Sequence, residues 1–336
     1  MFHWINNLRL LSIVAVITIH VSAVYLDSVT TSSLEWSIAN LFNSFSRWCV
    51  PALITITGVL VLGGDRKISA VDFYKKRAWK ILIPFIFWLF FYSFWNLIKG
   101  FFGTEHTLEE ITDSAFDGSA YYHLWYLYML IPFYVFAPLI KFILDKMSRV
   151  VLLSTFIISL MLSLIMQISS GLFHQYEFWC FWFIAYMPYF LLGRIILDFD
   201  INLKSFQFSV VFLTSVFVVF LGYGFFKSSS FLSYSGGAYF YTYMSLGVTV
   251  MSAAIIVFFK NADFFNKRDY CTKLSDKTFG IYLVHPILID VLFFVLKKNE
   301  LYFSSFLIPV FVFFFVISSA SVVFIMRKIL FVRAVV

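Results

Sequence analysis

The chain has 336 residues, of which 61% are hydrophobic and 13% charged, and its mean hydropathy is +0.89. A soluble domain of this length carries roughly a quarter charged residues, so the composition excludes a soluble globular protein. The net charge of +7 would suit a nucleic-acid partner, but the 25 basic residues follow a membrane topology instead, and we predict no nucleic-acid binding.

Long apolar runs recur along the whole chain. Residues 310–326 lack the regular alternation of a barrel strand, so such runs predict membrane helices, each able to cross about 30 Å of hydrocarbon. The predicted segments are 5–26, 38–62, 79–102, 122–143, 150–169, 179–197, 206–226, 239–259, 279–296 and 302–326. We therefore predict an all-α polytopic membrane bundle of about ten transmembrane helices, forming one domain over residues 1–336. The first segment has no small-residue cleavage site, so we interpret it as a retained helix.

The basic residues predict the orientation of this bundle. If the N-terminus is cytoplasmic, 20 of the 25 lysines and arginines lie at inner helix ends or in inner loops. Four lie on the outer side, and Arg47 falls inside a membrane segment. This bias follows the positive-inside rule for an even number of helices, so we predict that both termini are cytoplasmic.

The first predicted helix carries Arg9 and His20, whose side chains face the same way. Eleven residues at about 100° each return to within about 20° of the starting direction and climb about 16 Å. An arginine can bind phosphates and a histidine can move a proton, so the pair would line one pathway. The alternative is a snorkelling arginine and a histidine that is hydrogen-bonded between helices.

Other polar residues follow in the second, third and fourth segments. Arg47 lies near the membrane middle, where it predicts either a substrate path or a structural pair with a carboxylate. Arg77 and Lys80 enter the third segment from the inner side, where they either bind an anionic ligand or only set topology. His123 and Trp125 begin the fourth segment at the outer face, where the tryptophan is an interface anchor or a platform for a sugar.

The remaining candidates leave the chemistry open. His285 precedes Pro286 within the ninth segment, which favours a helix-breaking role over catalysis. Asp27, Glu35 and Glu177 are carboxylates that would orient a histidine or bind hydroxyls, and the sequence does not choose among them. The three cysteines have no C-x-x-C spacing, and no metal-ligand spacing, Gly-rich phosphate loop or nucleophile elbow occurs. We therefore predict no metal and no serine triad.

Five short motifs occur in order along most of the chain. They are Asn7-Leu8-Arg9 with His20; Ser46-Arg47 with Pro51 and Thr57-Gly58; Phe73-Tyr74-Lys75-Lys76-Arg77 with Ile83-Pro84; His123-Leu124-Trp125-Tyr126-Leu127-Tyr128; and Phe279-Gly280-Ile281-Tyr282-Leu283-Val284-His285-Pro286. Together they resemble the acyltransferase 3 family of bacterial membrane acyltransferases. Two positions depart from the family pattern: Thr57 replaces a serine but keeps the hydroxyl, and Lys80 replaces an arginine and loses its bidentate fork.

The resemblance implies transfer of an acyl group, usually acetyl, from cytoplasmic acyl-CoA to an envelope-glycan hydroxyl. The acceptor would be an envelope polysaccharide or lipid-linked saccharide, such as the O-antigen of lipopolysaccharide, and the enzyme a multi-pass protein of the bacterial inner membrane. Acetyl-CoA would be a substrate, with no resident cofactor. A sugar hydroxyl is a poor nucleophile, so the reaction needs a base with a pKa near neutrality, and we predict His20 for that role. The predicted acyl-CoA-binding residues are Arg9, Arg47, Arg77 and Lys80, and the predicted acceptor-binding residues are His123 and Trp125.

Two alternatives remain at this stage. His20 could act as a nucleophile that carries the acyl group, although direct transfer to the sugar is the simpler route. A transporter or glycan-export carrier would also combine many helices with a few buried charges. The chain shows no two halves with matching interrupted helices, which weakens the carrier interpretation.

Overall fold

The computed structural model describes residues 3–63, 69–100, 107–173, 178–228, 236–262, 272–301, 303–330 and 332–336. Within these ranges every regular element is a helix, so the predicted all-α fold is confirmed. Nine of the described helical stretches are long and apolar enough to cross a membrane, and a pair of shorter helices, Trp179–Ala185 and Met187–Asp198, bent by 43°, makes a tenth if the two count as one span. Nine of the ten predicted segments correspond to the nine stretches, and the segment 179–197 corresponds to the bent pair.

The α-helices are numbered in chain order. They are α1 His3–Ser28, α2 Leu34–Ser46, α3 Cys49–Leu62, α4 Ala70–Arg77, α5 Ile83–Gly100, α6 Leu108–Phe116, α7 Trp125–Leu144, α8 Arg149–Phe173, α9 Trp182–Ala185, α10 Met187–Asp198, α11 Ser205–Ser228, α12 Gly236–Tyr241, α13 Leu246–Asn261, α14 Thr272–Ser275, α15 Thr278–Lys298 and α16 Ile308–Met326. A π-helix, Ala78–Leu82, joins α4 to α5, and 3-10 turns occupy Trp179–Phe181, Ser305–Leu307 and Arg333–Val335.

The second crossing is broken in the middle of the membrane. Helix α2 ends at Ser46 and α3 begins at Cys49, with a turn at Arg47 and Trp48 between them. Pro51 explains the break, because it has no amide hydrogen to donate to the Arg47 carbonyl one turn earlier. The break therefore comes at Arg47, the arginine that the sequence analysis placed inside a membrane segment.

Helix α1 is the central element of the bundle. It packs against α2, α3, α13, α15 and α16, and its core side is almost entirely buried. A polar link fixes it to α2, because the Asn43 amide donates to the Ile19 carbonyl at 3.1 Å and to the Ser22 hydroxyl at 2.9 Å. These bonds hold α1 against α2 at Ile19, the residue before His20.

Helices α3 and α10 approach each other closely because glycines face one another. A Cβ on Gly58 would lie 2.2 Å from the Phe190 carbonyl oxygen, and one on Gly193 would lie 2.5 Å from the Val59 amide nitrogen. Only glycine therefore allows this backbone contact. Gly58 belongs to the Thr57-Gly58 motif, so this motif allows a close contact between two helices and also supplies a hydroxyl group.

Candidate functional site

A small cavity lies beside the outer half of α1. Its volume is about 20 Å³, which is room for one water molecule. Trp125 forms part of the wall, and its ring stacks on Tyr243 with centroids 5.6 Å apart. We call this cavity the His20 chamber; it is lined by Val16, Ile19, His20, Val50, His123, Trp125, Tyr126, Tyr243 and Tyr282.

Three imidazole rings meet at the His20 chamber. The ring centroid of His20 lies 5.3 Å from that of His285, and His285 lies 5.8 Å from His123. Nδ1 of His285 lies 3.2 Å from the Ile281 carbonyl oxygen. Both nitrogens of His123 and Nε2 of His285 are buried without a hydrogen-bond partner among the described residues. Such unpaired groups are expected where water or a substrate completes the network.

The outer boundary of this cluster is made of tyrosines. The Tyr122 ring lies 4.8 Å from the His20 ring, yet 43% of Tyr122 is exposed, so a single side chain separates the histidine from the surface. The Tyr282 hydroxyl donates to the His123 carbonyl and fixes the start of the fourth crossing. The histidine cluster is therefore buried, but only the Tyr122 side chain lies between it and the surface.

Asp290 is the carboxylate nearest to this tyrosine boundary. It accepts hydrogen bonds from the Tyr121 hydroxyl and from Trp95 Nε1 at 3.3 Å, and it pairs with Lys99 at 3.4 Å. Burial and the neighbouring carboxylate raise the pKa of the Tyr121 hydroxyl, so the phenol keeps its proton and donates. Tyr121 stacks on Tyr92 at 4.2 Å, and Tyr92 lies 4.9 Å from the His123 ring.

At the cytoplasmic end of α1, two arginines converge on one tyrosine. The Arg77 guanidinium lies 4.9 Å from the Tyr134 ring centroid, and Arg9 interacts electrostatically with the same Tyr134. Among the described residues, Arg9 has no hydrogen bond and no ion pair, and its carboxylate neighbour in electrostatic terms is Asp276. We call Arg9, Arg77 and Tyr134 the arginine cluster. Two guanidinium groups without a bound carboxylate form a suitable site for phosphate.

One tyrosine connects the two ends of the site. Tyr126 lines the His20 chamber and also interacts electrostatically with Arg9 and Tyr134. The Thr57 hydroxyl interacts with both Tyr126 and Tyr134. Tyr126 is therefore a neighbour of both Arg9 and His20, the two residues of the predicted helix face.

Arg47 lies apart from the arginine cluster. Its Nε donates to the Asn43 side chain at 2.7 Å, another guanidinium nitrogen donates to the Tyr241 carbonyl at 2.9 Å, and the Tyr241 ring lies 4.0 Å away. Arg47 also acts electrostatically on His20 and on Tyr243 of the chamber wall. A carboxylate partner, which the sequence left as an alternative, is not found among the described residues. The contacts of Arg47 favour a place beside the His20 chamber.

The other predicted residues occupy different settings. Lys80 is exposed on the π-helix. His123, predicted at the outer face, precedes α7 and is 1% exposed, and Trp125 is half-buried. Both residues share the chamber with His20, an arrangement that helix periodicity alone does not predict.

Two of the three carboxylates left open by the sequence, Glu35 and Asp27, are not in this cluster. Glu35 accepts hydrogen bonds from the Ser304 hydroxyl at 2.7 Å and from the Ser305 amide, so it fixes the loop before α16. Asp27 is exposed, and Glu177 lies outside the described residues. In the part of the chain that the structure covers, no three His, Cys, Asp or Glu side chains are arranged to hold a metal.

The sequence interpretation missed the tyrosines and Asp290 and treated His285 as structural. Position along a membrane helix gives depth but not the neighbouring helix, so neither Tyr122 nor Tyr243 stood out among 19 tyrosines. The signal available for His285 was its place in the Gly-Ile-Tyr-Leu-Val-His-Pro motif, which ends at the residue that the structure brings to His20.

Comparisons with known proteins add one finding. The family model described as an acyltransferase domain, acyltransferase 3, matches residues 2–327, which is nearly the whole chain. No curated protein and no solved structure matches the chain.

Proposed function

Because the chain belongs to the acyltransferase 3 family, we propose that it transfers an acyl group, specifically acetyl, from cytoplasmic acyl-CoA to a hydroxyl of an envelope glycan or lipid-linked saccharide. Family membership supports acyl transfer by a membrane enzyme, whereas the donor, the acceptor and the base are our proposal. The observation that carries it is the placement of an unpaired arginine and a histidine on one face of α1, joined by Tyr126.

The arginine cluster is the proposed site for the CoA phosphates. Arg9 and Arg77 both contact or act on Tyr134, so their positive charges converge, and no carboxylate among the described residues pairs with either. Guanidinium groups form paired, charge-assisted hydrogen bonds with phosphate oxygens. With the adenine end held here, the thioester arm would extend about 16 Å along α1 to reach His20.

His20 is the proposed general base. An imidazole nitrogen accepts the proton of the sugar hydroxyl as its oxygen attacks the thioester carbonyl; the carbon–sulfur bond then breaks, and the departing sulfur takes that proton from the imidazolium. No net proton is gained or lost. Arg47 acts electrostatically on His20, and its positive charge would stabilise the oxyanion of the tetrahedral intermediate.

The acceptor is proposed to enter from the outer side, past Tyr122. Tyr122 is partly exposed and its ring lies 4.8 Å from the His20 ring, so its displacement would open the chamber to a sugar. Trp125, already stacked on Tyr243, offers an aromatic face to a sugar ring. This route assigns donor and acceptor to opposite sides of the membrane.

Activity is tested by adding labelled acetyl-CoA and a lipid-linked glycan to the purified protein in liposomes. Label in the glycan supports the proposal. Movement of the glycan across the bilayer without acetylation would favour the carrier alternative. Stable label on the protein in the absence of glycan would instead assign His20 the nucleophilic role.

The orientation behind this proposal has its own test. Reporter fusions after Lys146 should read cytoplasmic, and fusions at Glu109 should read extracytoplasmic, because the basic residues place these loops on opposite sides. An inverted pair of signals in the bacterial inner membrane would contradict the predicted orientation and the assignment of the donor side.

A further inference from the structure

The second half of α2, with Arg47 directly after it, carries a stripe of polar side chains within a candidate membrane span. Asn40, Asn43, Ser44 and Arg47 follow one another at spacings of three and four residues, so they share one face. The first three are at most 1% exposed. Polar groups inside a membrane are costly unless they are paired, so the partners of this stripe indicate what each residue does.

The Asn43 side chain joins α1 to Arg47 through one amide group. Its nitrogen donates to the Ile19 carbonyl at 3.1 Å and to the Ser22 hydroxyl at 2.9 Å, and its oxygen accepts from Arg47 Nε at 2.7 Å. Arg47 Nε is only a donor and the Ile19 carbonyl is only an acceptor, so a single orientation of the amide satisfies both. Asn43 thereby ties Arg47 to the residue that precedes His20.

The other side of the Arg47 guanidinium is held by Tyr241. A guanidinium nitrogen donates to the Tyr241 carbonyl at 2.9 Å, and the Tyr241 ring centroid lies 4.0 Å from the guanidinium carbon. That ring stacks on Tyr223 with centroids 3.5 Å apart, which restricts its position. Held in this way, the guanidinium carbon lies 5.8 Å from the ring centroid of Tyr243, a wall residue of the His20 chamber. The positive charge is therefore already in place before any substrate binds.

We propose that Asn43 is a positioning residue, which holds the Arg47 guanidinium at a fixed place relative to His20. The inference rests on the proposed function, in which His20 takes a proton while Arg47 stabilises the oxyanion. Both events belong to the formation of one tetrahedral intermediate, so the two groups must keep a fixed separation. His20 and Arg47 belong to different crossings, and a side chain that bonds to both crossings sets that separation directly.

The kinetics of acyl transfer test this role with a matched pair of variants. Asn43→Leu keeps the approximate size of the side chain and removes all three bonds, so kcat should fall about tenfold or more while KM for acetyl-CoA stays unchanged. Asn40→Leu is the control, because Asn40 is equally buried and its described hydrogen bonds go to α2, α11 and α12. Asn40→Leu should keep the wild-type kcat. Equal losses of kcat in the two variants would reduce Asn43 to a packing residue.

A double variant separates positioning from packing. Arg47→Met removes the guanidinium, so Asn43→Leu then has no charge left to misplace. Added to Arg47→Met, Asn43→Leu should lower kcat by less than about threefold, compared with about tenfold or more in the wild-type background. The same factor in both backgrounds would overturn the proposal, because Asn43 would then act independently of Arg47.

Thermal unfolding in detergent tests the same link without catalysis. The fall in midpoint temperature for the double variant should be smaller than the sum of the falls for Asn43→Leu and Arg47→Met, because both substitutions remove the same bond. Additive falls would refute the proposal whether or not the protein transfers acyl groups. Non-additive falls in a protein whose wild type transfers no acyl group would refute the proposed function but not the bond that holds Arg47.

Discussion

The two ends of α1 differ in how their charged and polar groups are satisfied. Around Arg9, the described neighbours are an aromatic ring, a second guanidinium and hydroxyl groups, without a paired carboxylate. Around His20, imidazole and tyrosine rings close over a cavity of about 20 Å³. The first end can therefore accept an anion, whereas the second is closed over a space for one water molecule. Under the proposed function, one helix would separate donor binding from proton transfer by about 16 Å.

Replacement of His20 gives the largest expected effect. His20→Ala should reduce acyl transfer by about a hundredfold or more, because it removes the base, while CoA affinity stays at the wild-type value. Transfer is measured with labelled acetyl-CoA, and binding by calorimetry in detergent. His3→Ala, at the start of the same helix, serves as the control. Wild-type transfer by a folded His20→Ala protein would return His20 to a structural role.

Replacement of Arg9 should affect the other end. Arg9→Ala removes charge-assisted hydrogen bonds worth roughly 1.5–3 kcal/mol, so CoA should bind about one to two decades more weakly. Arg9→Lys should recover part of this loss, because lysine keeps the charge without the fork. Lys80→Ala, at an exposed site, should change CoA affinity by less than either. If Arg9→Ala binds CoA normally, the donor site lies elsewhere.

The contact between His20 and His285 tests the chamber itself. His285→Phe keeps an aromatic ring beside Pro286 but removes both nitrogens, including the unpaired Nε2. We expect roughly a tenfold lower turnover at unchanged CoA affinity, because small shifts of a catalytic group cost rate. The measurement is kcat and KM of the wild type and of His285→Phe, each determined separately over a range of pH. An unaltered pH profile and rate would leave His285 as a packing residue only.

The smallest effect on chemistry should come from the packing beneath Thr57. Gly58→Ala would place a Cβ 2.2 Å from the Phe190 carbonyl oxygen, so α3 and α10 must separate, at a cost of about 1–3 kcal/mol. Gly100→Ala is the matched control, because a Cβ there meets nothing within 4 Å. The midpoint temperature of thermal unfolding in detergent should fall for Gly58→Ala and stay at the wild-type value for Gly100→Ala. Identical melting curves for the two variants would contradict the close helix contact.

The sequence determined the features that depend on local pattern. Apolar length located the nine candidate spans and the bent pair, and the period of the helix predicted that Arg9 and His20 share one face. The order of five motifs indicated the family that matches residues 2–327. These inferences needed no knowledge of which helices are neighbours, because each depends on residues close together in one segment or on their order.

Only the tertiary structure decided which side chains meet. Residues from three separate crossings form the histidine cluster, Arg47 bonds to Tyr241 near the eighth crossing, and Asp290 accepts a hydrogen bond from Tyr121 at the tyrosine boundary. Most crossings are apolar on several sides because lipid and protein interior are equally dry, so hydropathy does not reveal the packed face. The partners of α1 follow from close packing and a few polar links such as Asn43, and these exist only in the assembled bundle.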